Sequence, residues 1–183
     1  MEKIPTIFDR DWQGNRGVVN TSRILISKEA IATEKLDGTN VRLTVRNNTL
    51  VRVEKRRNPD AIQKHKGIKE PWYVDAFEYE QSDKWVYDAA KNTDLPDVPD
   101  GEWSGEAVGP DVQGNPLNLD QNHVMLFSLG RYAVFGDCPT DFDGLKEWLP
   151  KQKSKYGKDC GIEGIVWLID GKPIGKIKIK DFK

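Results

Sequence analysis

The sequence predicts an α+β fold of antiparallel sheets with helices on the outside. Residues 41–46 and 50–53 alternate apolar with polar side chains on either side of Asn47-Asn48, the pattern of a β-hairpin. Residues 163–168 and 175–180 form a second such pair across Asp170-Gly171. Only two stretches, 82–91 and 141–149, carry short helical patterns.

The elements follow in order. Residues 24–26 and 31–35 are short, β-rich segments and read as strands. The hairpin comes next. From residue 59 to 100 the character changes, with Trp72, Tyr73, Phe77, Tyr79, Trp85 and Tyr87 gathered around the helix at 82–91. Residues 94–101, with Pro96, Pro99 and Gly101, read as a loop. Strands resume at 102–107 and 123–128. The helix at 141–149 begins after Asp141, a favourable N-cap.

Composition bounds what this fold can do. The 183 residues are 37% hydrophobic and 31% charged, enough for one compact domain over residues 1–183. A formal net charge of -1 does not announce a nucleic-acid partner, although a neutral balance permits a local basic face. Cys138 and Cys160 have neither metal-ligand spacing nor a disulfide framework. No apolar run approaches the ~18 residues of a membrane span. The N-terminus is too polar for a secretory signal, so the expected setting is cytoplasmic.

The chemistry centres on Lys35, in Thr33-Glu34-Lys35-Leu36-Asp37-Gly38-Thr39-Asn40. A lysine amine flanked by acids and glycine at the end of an apolar segment can serve as a covalent nucleophile. Alone the string reads equally well as a turn set by Asp-Gly. Five further elements follow. Glu54-Lys55-Arg56-Arg57 ends the hairpin, where Arg56 offers a planar guanidinium to phosphate or simply a solvated strand end. Glu106, in a strand before Gly109-Pro110, can hold a ribose hydroxyl pair or mark an ordinary strand-to-turn junction. Phe127, at the end of a strand, can stack on a purine or belong to the core. Glu163, beside Gly164, is a candidate Mg²⁺ ligand or a strand start. Lys176, Lys178 and Lys180 share one face of a strand by period two, with Ile177 and Ile179 on the other. Three cations in a row suit a triphosphate, or defend an edge strand against aggregation.

Taken in order, these elements resemble the motifs of the covalent nucleotidyltransferases: ATP-dependent DNA and RNA ligases and mRNA capping enzymes. The Gly105-Glu106-Ala107-Val108-Gly109-Pro110-Asp111-Val112-Gln113 segment and the Glu34-Lys35…Gly38-Thr39-Asn40 string are most similar to the phage RNA ligase 2 branch. The resemblance covers residues 33–180. It implies an antiparallel-sheet nucleotidyltransferase domain of the ligase adenylation (ATP-grasp-like) type with flanking helices. It implies ATP and Mg²⁺ or Mn²⁺ as cofactors and RNA ends as substrate. Lys35 would be the nucleophile. Glu34, Lys35, Asn40, Arg56, Glu106, Phe127, Lys176, Lys178 and Lys180 would bind nucleotide, and Glu163 the metal. Which lysines of the last strand hold phosphate stays open, with Lys176 and Lys178 favoured. Asp37 would orient Lys35, act later in catalysis, or set the turn.

The implied reaction has three steps. Lys35 takes AMP from ATP as a phosphoramidate, AMP passes to a 5′-phosphate, and a 3′-hydroxyl attacks to release AMP. A lysine of ordinary pKa near ~10.4 must first lose its proton, and neighbouring cations disfavour the charged form. Related enzymes carry a second domain, often an OB-fold, after the last lysine motif. Here the sequence stops at Lys183, so no C-terminal OB domain is expected. The expected protein is a monomeric RNA ligase with a role in RNA repair. The alternatives are an adenylyltransferase that does not seal, and an inactive nucleotide- or RNA-binding module.

Overall fold

The computed structural model describes residues 3–93, 95 and 97–183. Asp94 and Pro96, in the expected 94–101 loop, lie outside the described residues. In chain order the elements are β1 (Phe8–Arg10), β2 (Val18–Ser22), β3 (Ile31–Lys35), β4 (Thr39–Arg46), β5 (Thr49–Arg57), α1 (Ala61–His65), β6 (Trp72–Asp75), α2 (Lys84–Lys91), β7 (Gly101–Val108), β8 (His123–Met125), α3 (Phe142–Trp148), β9 (Gly164–Ile169) and β10 (Lys172–Lys178). The chain divides into two compact units. A central unit is built on Asp37–Arg131, and a terminal unit joins Ile4–Leu36 to Tyr132–Lys183. Mixed α and β elements with wholly antiparallel sheets and few helices agree with the expected class. Among the described residues no helix is long and apolar enough to cross a membrane.

The central unit is a five-stranded antiparallel sheet in the order β6-β5-β4-β7-β8. Its β4–β5 hairpin turns at Asn47 and Asn48, with φ of 49° and 58°. Two successive left-handed residues match the twist of the flanking strands, and asparagine tolerates that conformation. Val41, Leu43 and Val45 of β4 are fully buried, and α2 packs Val86, Ala89 and Ala90 into the same core. The alternate residues Asn40, Arg42 and Thr44 project from the opposite face. Gly38 precedes this strand for a steric reason. A Cβ there would lie 2.2 Å from the Ala107 carbonyl oxygen and 2.9 Å from the Glu106 side chain.

The terminal unit carries a three-stranded sheet, β10-β9-β3, and a β1–β2 ribbon. Ile165, Trp167 and Ile177 are buried with Ile7, Phe8, Leu145 and Leu149. The β9–β10 turn falls at Asp170-Gly171, with φ of 49° and 73°, as expected. Asp141 caps α3, its side chain accepting from the Gly144 amide at 2.8 Å.

Three expectations need correction. Residues 24–26 are not a strand. The amides of Arg23 and Ile24 both donate to the Ile7 carbonyl, which bends the chain, and Leu25 stands 85% exposed. The strand at 123–128 ends at Met125, and Phe127 lies in a 3₁₀ turn (Phe127–Leu129) closed by Gly130 at φ 73°. Lys180 is likewise in a 3₁₀ turn, Ile179–Asp181, rather than in β10. There the buried Asp181 accepts from the Lys178 amide at 2.9 Å and from Arg10 at 2.5 Å, which ends the strand.

The Gly38 packing makes a direct prediction. Gly38→Ala drives a methyl into a backbone carbonyl that cannot rotate away. It should lower stability by about 1–3 kcal/mol, or roughly 2–12 °C in Tm. Gly136→Ala, where nothing lies within 4 Å of the new Cβ, should leave Tm unchanged by the same thermal melt.

Candidate active site

Two strands bring their last residues to one glycine. Lys35 at the end of β3 and Lys178 at the end of β10 both pair with Gly164, the first residue of the central strand β9. Partners across an antiparallel ladder project to the same face, so the two amines flank the start of β9. Only glycine fits between them, because a Cβ at Gly164 would lie 2.1 Å from the Ile177 carbonyl oxygen. Glu163 directly precedes it and meets both lysines.

The contacts divide the carboxylate evenly. Lys35 Nζ donates to Glu163 Oε2 at 2.6 Å, and Lys178 Nζ donates to Oε1 at 2.5 Å. Lys35 Nζ also donates to the Leu36 carbonyl at 3.0 Å. Lys180 Nζ stands 3.7 Å from Oε1, its side chain 69% exposed against 9% for Glu163. Burial pushes the Glu163 carboxyl up, but Lys35 and Lys178 outweigh it and hold the group below the usual carboxylate range. Three ammonium groups around one carboxylate leave a positive surplus, suited to an anionic ligand. Lys176 lies two residues before Lys178 on the same face of β10 and pairs with Val166.

Glu34 does not join this cluster. It alternates with Lys35 and is buried on the other face of β3, accepting from Ser154 Oγ at 2.5 Å and from the Lys155 amide at 2.8 Å. Burial raises its carboxyl, and the bonds to Ser154 and Lys155 offset that only in part. Its observed task is to hold the 154–157 turn, whose Tyr156 and Gly157 amides donate to Ser154 Oγ.

Of the other expected residues, all in the central unit, Asn40, Arg56 and Glu106 lie on the sheet face opposite its apolar core. Asn40 donates to the Gly105 carbonyl at 3.1 Å and accepts from Tyr73 Oη at 2.6 Å. Tyr73 Oη also lies 3.2 Å from Ser104 Oγ, and the Arg42 guanidinium stacks over the Tyr73 ring at 4.5 Å. Burial raises the Tyr73 phenol, against the smaller pull of Ser104 and Arg42. Arg42 grips the buried Glu54 with two bonds of 2.6 and 2.7 Å. Arg56 pairs with Tyr73, and Glu106 pairs with both Asn40 and Met125. Phe127 is half-buried in its 3₁₀ turn. The sequence reading passed over Arg42, Tyr73 and Ser104. The usable signal for Arg42 was the alternation of β4 itself, where Asn40, Arg42 and Thr44 alternate with the core residues Val41, Leu43 and Val45.

Among the described residues no group of three or more His, Cys, Asp or Glu side chains is placed to hold a metal ion. The single carboxylate of Glu163 nonetheless suits a hard cation that arrives with a nucleotide, since Mg²⁺ takes one or two carboxylates and fills its shell with phosphate oxygens and water.

No family model matches the chain, and no curated protein matches it. Solved structures do. A lysine-to-methionine variant of a Naegleria gruberi RNA ligase, with AMP and Mn, superposes with a TM-score of 0.50 at 15% identity, over 81% of this chain and 48% of that one. An apo lysine-to-alanine variant of Naegleria gruberi RNA ligase gives a TM-score of 0.49 at 14% identity, with the same coverage. The chain thus spans about half the length of the solved structures it matches. The fold of this chain is of the RNA-ligase type.

Proposed function

We propose that this chain is an ATP-dependent RNA ligase, joining 5′-phosphate and 3′-hydroxyl ends through a covalent lysyl-AMP intermediate in RNA repair. The observation that carries this reading is Lys35, held beside Glu163 and Lys178 at the start of β9. After giving its proton to solvent, Lys35 Nζ attacks the α-phosphorus of ATP. The P–N bond forms as the P–O bond to pyrophosphate breaks. Lys178, with Lys176 and Lys180, neutralises the charge that builds on the phosphates. Mg²⁺ or Mn²⁺ bound with the nucleotide would be held by Glu163 and would stabilise the departing pyrophosphate. AMP then passes to the 5′-phosphate, and the 3′-hydroxyl displaces it.

Arg56, Asn40, Glu106 and Phe127 are assigned to nucleotide and RNA-end contacts: guanidinium to phosphate, carboxylate to ribose, ring to adenine. The position of Arg56, Asn40 and Glu106 on the polar side of the central sheet supports this. Glu34 enters only as a support for β3, because its carboxylate is already taken by Ser154 and Lys155.

Incubation with α-labelled ATP and Mg²⁺, followed by a denaturing gel, tests the first step. The protein should retain label that pyrophosphate removes, and Lys35→Ala should retain none. Label persisting on Lys35→Ala would end the proposal. Lys178→Ala should slow adduct formation by about 10²–10³-fold, the usual cost of one charge-stabilising donor. Sealing of a nicked RNA duplex in the same reaction distinguishes a ligase from a bare adenylyltransferase.

Glu163 also makes a pH prediction. Its folded carboxyl titrates below the ordinary value near ~4.3, so its stabilisation is complete above that value and fades as pH falls through the lower one. Glu163→Gln should therefore cost on the order of 2 kcal/mol at neutral pH, the worth of a charged hydrogen bond. The Tm gap between the two proteins should close in acid. A gap that stays constant from neutral pH into the acid range would contradict the ion-pair account.

A further inference from the structure

The β5–β6 connection is ordered, basic and almost entirely in water. It leaves the sheet where Arg57 pairs with Trp72 and is anchored by the buried Pro59 and Pro71. Its helix α1 buries no residue. What shapes it is local. Asp60 caps the helix, accepting from the Gln63 amide at 2.8 Å, while Gln63 Oε1 accepts from the Asp60 amide at 3.0 Å. At the other end Lys66 donates to the Ile62 carbonyl, Ile68 to Gln63 and Gly67 to Lys64, with Gly67 at φ 87°. A segment without a core contribution is thus held in one shape by caps and backbone bonds.

Charge is concentrated on this frame. From Arg57 to Pro71 stand four cations, Arg57, Lys64, Lys66 and Lys69, against two carboxylates, Glu70 and Asp60, the latter's side chain spent on the cap. All four cations are exposed, and none forms an ion pair among the described residues. Ile62 and Ile68 stand among them at 68% and 44% exposure. In a chain of net charge -1, this is a local surplus with no internal acceptor. Exposed lysines act as point charges that suit a phosphate chain without reading its bases, and the isoleucines give ribose and base faces an apolar neighbour.

We propose that the connection from Arg57 to Lys69 is an RNA-binding surface, which takes the phosphate backbone of the polynucleotide substrate without regard to sequence. This rests on the ligase reading for the identity of the polyanion, but its test does not depend on catalysis. Anisotropy of a fluorescent nicked RNA duplex, titrated across a range of salt, compares the wild-type chain with a Lys64→Ala, Lys66→Ala, Lys69→Ala triple variant. The affinity should fall by more than tenfold. The slope of log Kd against log salt should drop by about 2–3, three phosphate contacts at roughly 0.7–0.9 each. Adduct formation at Lys35 from labelled ATP should be unchanged, and a triple lysine-to-arginine variant should keep the binding. Equal affinity and slope in the alanine variant would overturn the proposal, as would a loss that arginine does not rescue. Absence of the wild-type adduct would instead count against the ligase reading and leave the binding result to stand by itself.

Discussion

A single carboxylate shared between two lysines organises one end of the terminal unit's sheet. Lys35 and Lys178 end the two strands that flank β9, so the sheet itself forces their amines together. Two like charges brought to one carboxylate repel each other. Glu163 offsets this with one oxygen for each amine. Gly164 is the condition for the arrangement, because any side chain at that position meets the Ile177 carbonyl. Backbone geometry places the cations, and the carboxylate makes their proximity tolerable. An anion entering the cluster would compete with Glu163 for the same amines.

The central unit solves a related problem on its polar face. Glu54 is 2% exposed and would be costly as a lone buried charge, yet Arg42 meets it with a bidentate grip and Arg52 adds a contact at 3.3 Å. Arg42 in turn lies over Tyr73, and Tyr73 fixes Asn40. The side-chain amide of Asn40 is therefore oriented from both ends, its oxygen by a phenol and its nitrogen by the Gly105 carbonyl. A substitution at Arg42 would reach Asn40 without touching it.

How much of this was legible follows from the range of the forces involved. The hairpins at Asn47-Asn48 and Asp170-Gly171 and the cap at Asp141 depend on neighbours in sequence, and the pattern displays them. The pairing of Lys35, Glu163 and Lys178 was legible only as an ordered set of motifs, since Lys35 and Glu163 stand 128 residues apart in sequence. Glu34 is adjacent to Lys35 in sequence, and in a strand adjacency means the opposite face. Lys180 misled because the alternation of residues 176–180 continues past the point where Asp181 turns the chain. The three-residue β1 and four-residue β6 are too short to show a period, and Tyr73 sat unremarked in an aromatic-rich stretch whose polar contacts come from β4 and β7.

Net charge conceals a division among the cations. Several on the sheets are committed: Arg42 and Arg52 to Glu54, Lys55 to Asp83, Lys35 and Lys178 to Glu163. Each pair fixes a side chain and leaves little field beyond it. The cations of the β5–β6 connection have no such partner, so their field extends into solvent to about the ~8–10 Å set by salt. The same residue types thus do two jobs, decided by whether an acid lies within reach. Paired in a sheet, a lysine sets geometry for chemistry. Unpaired on a capped connection whose helix buries no residue, it faces solvent.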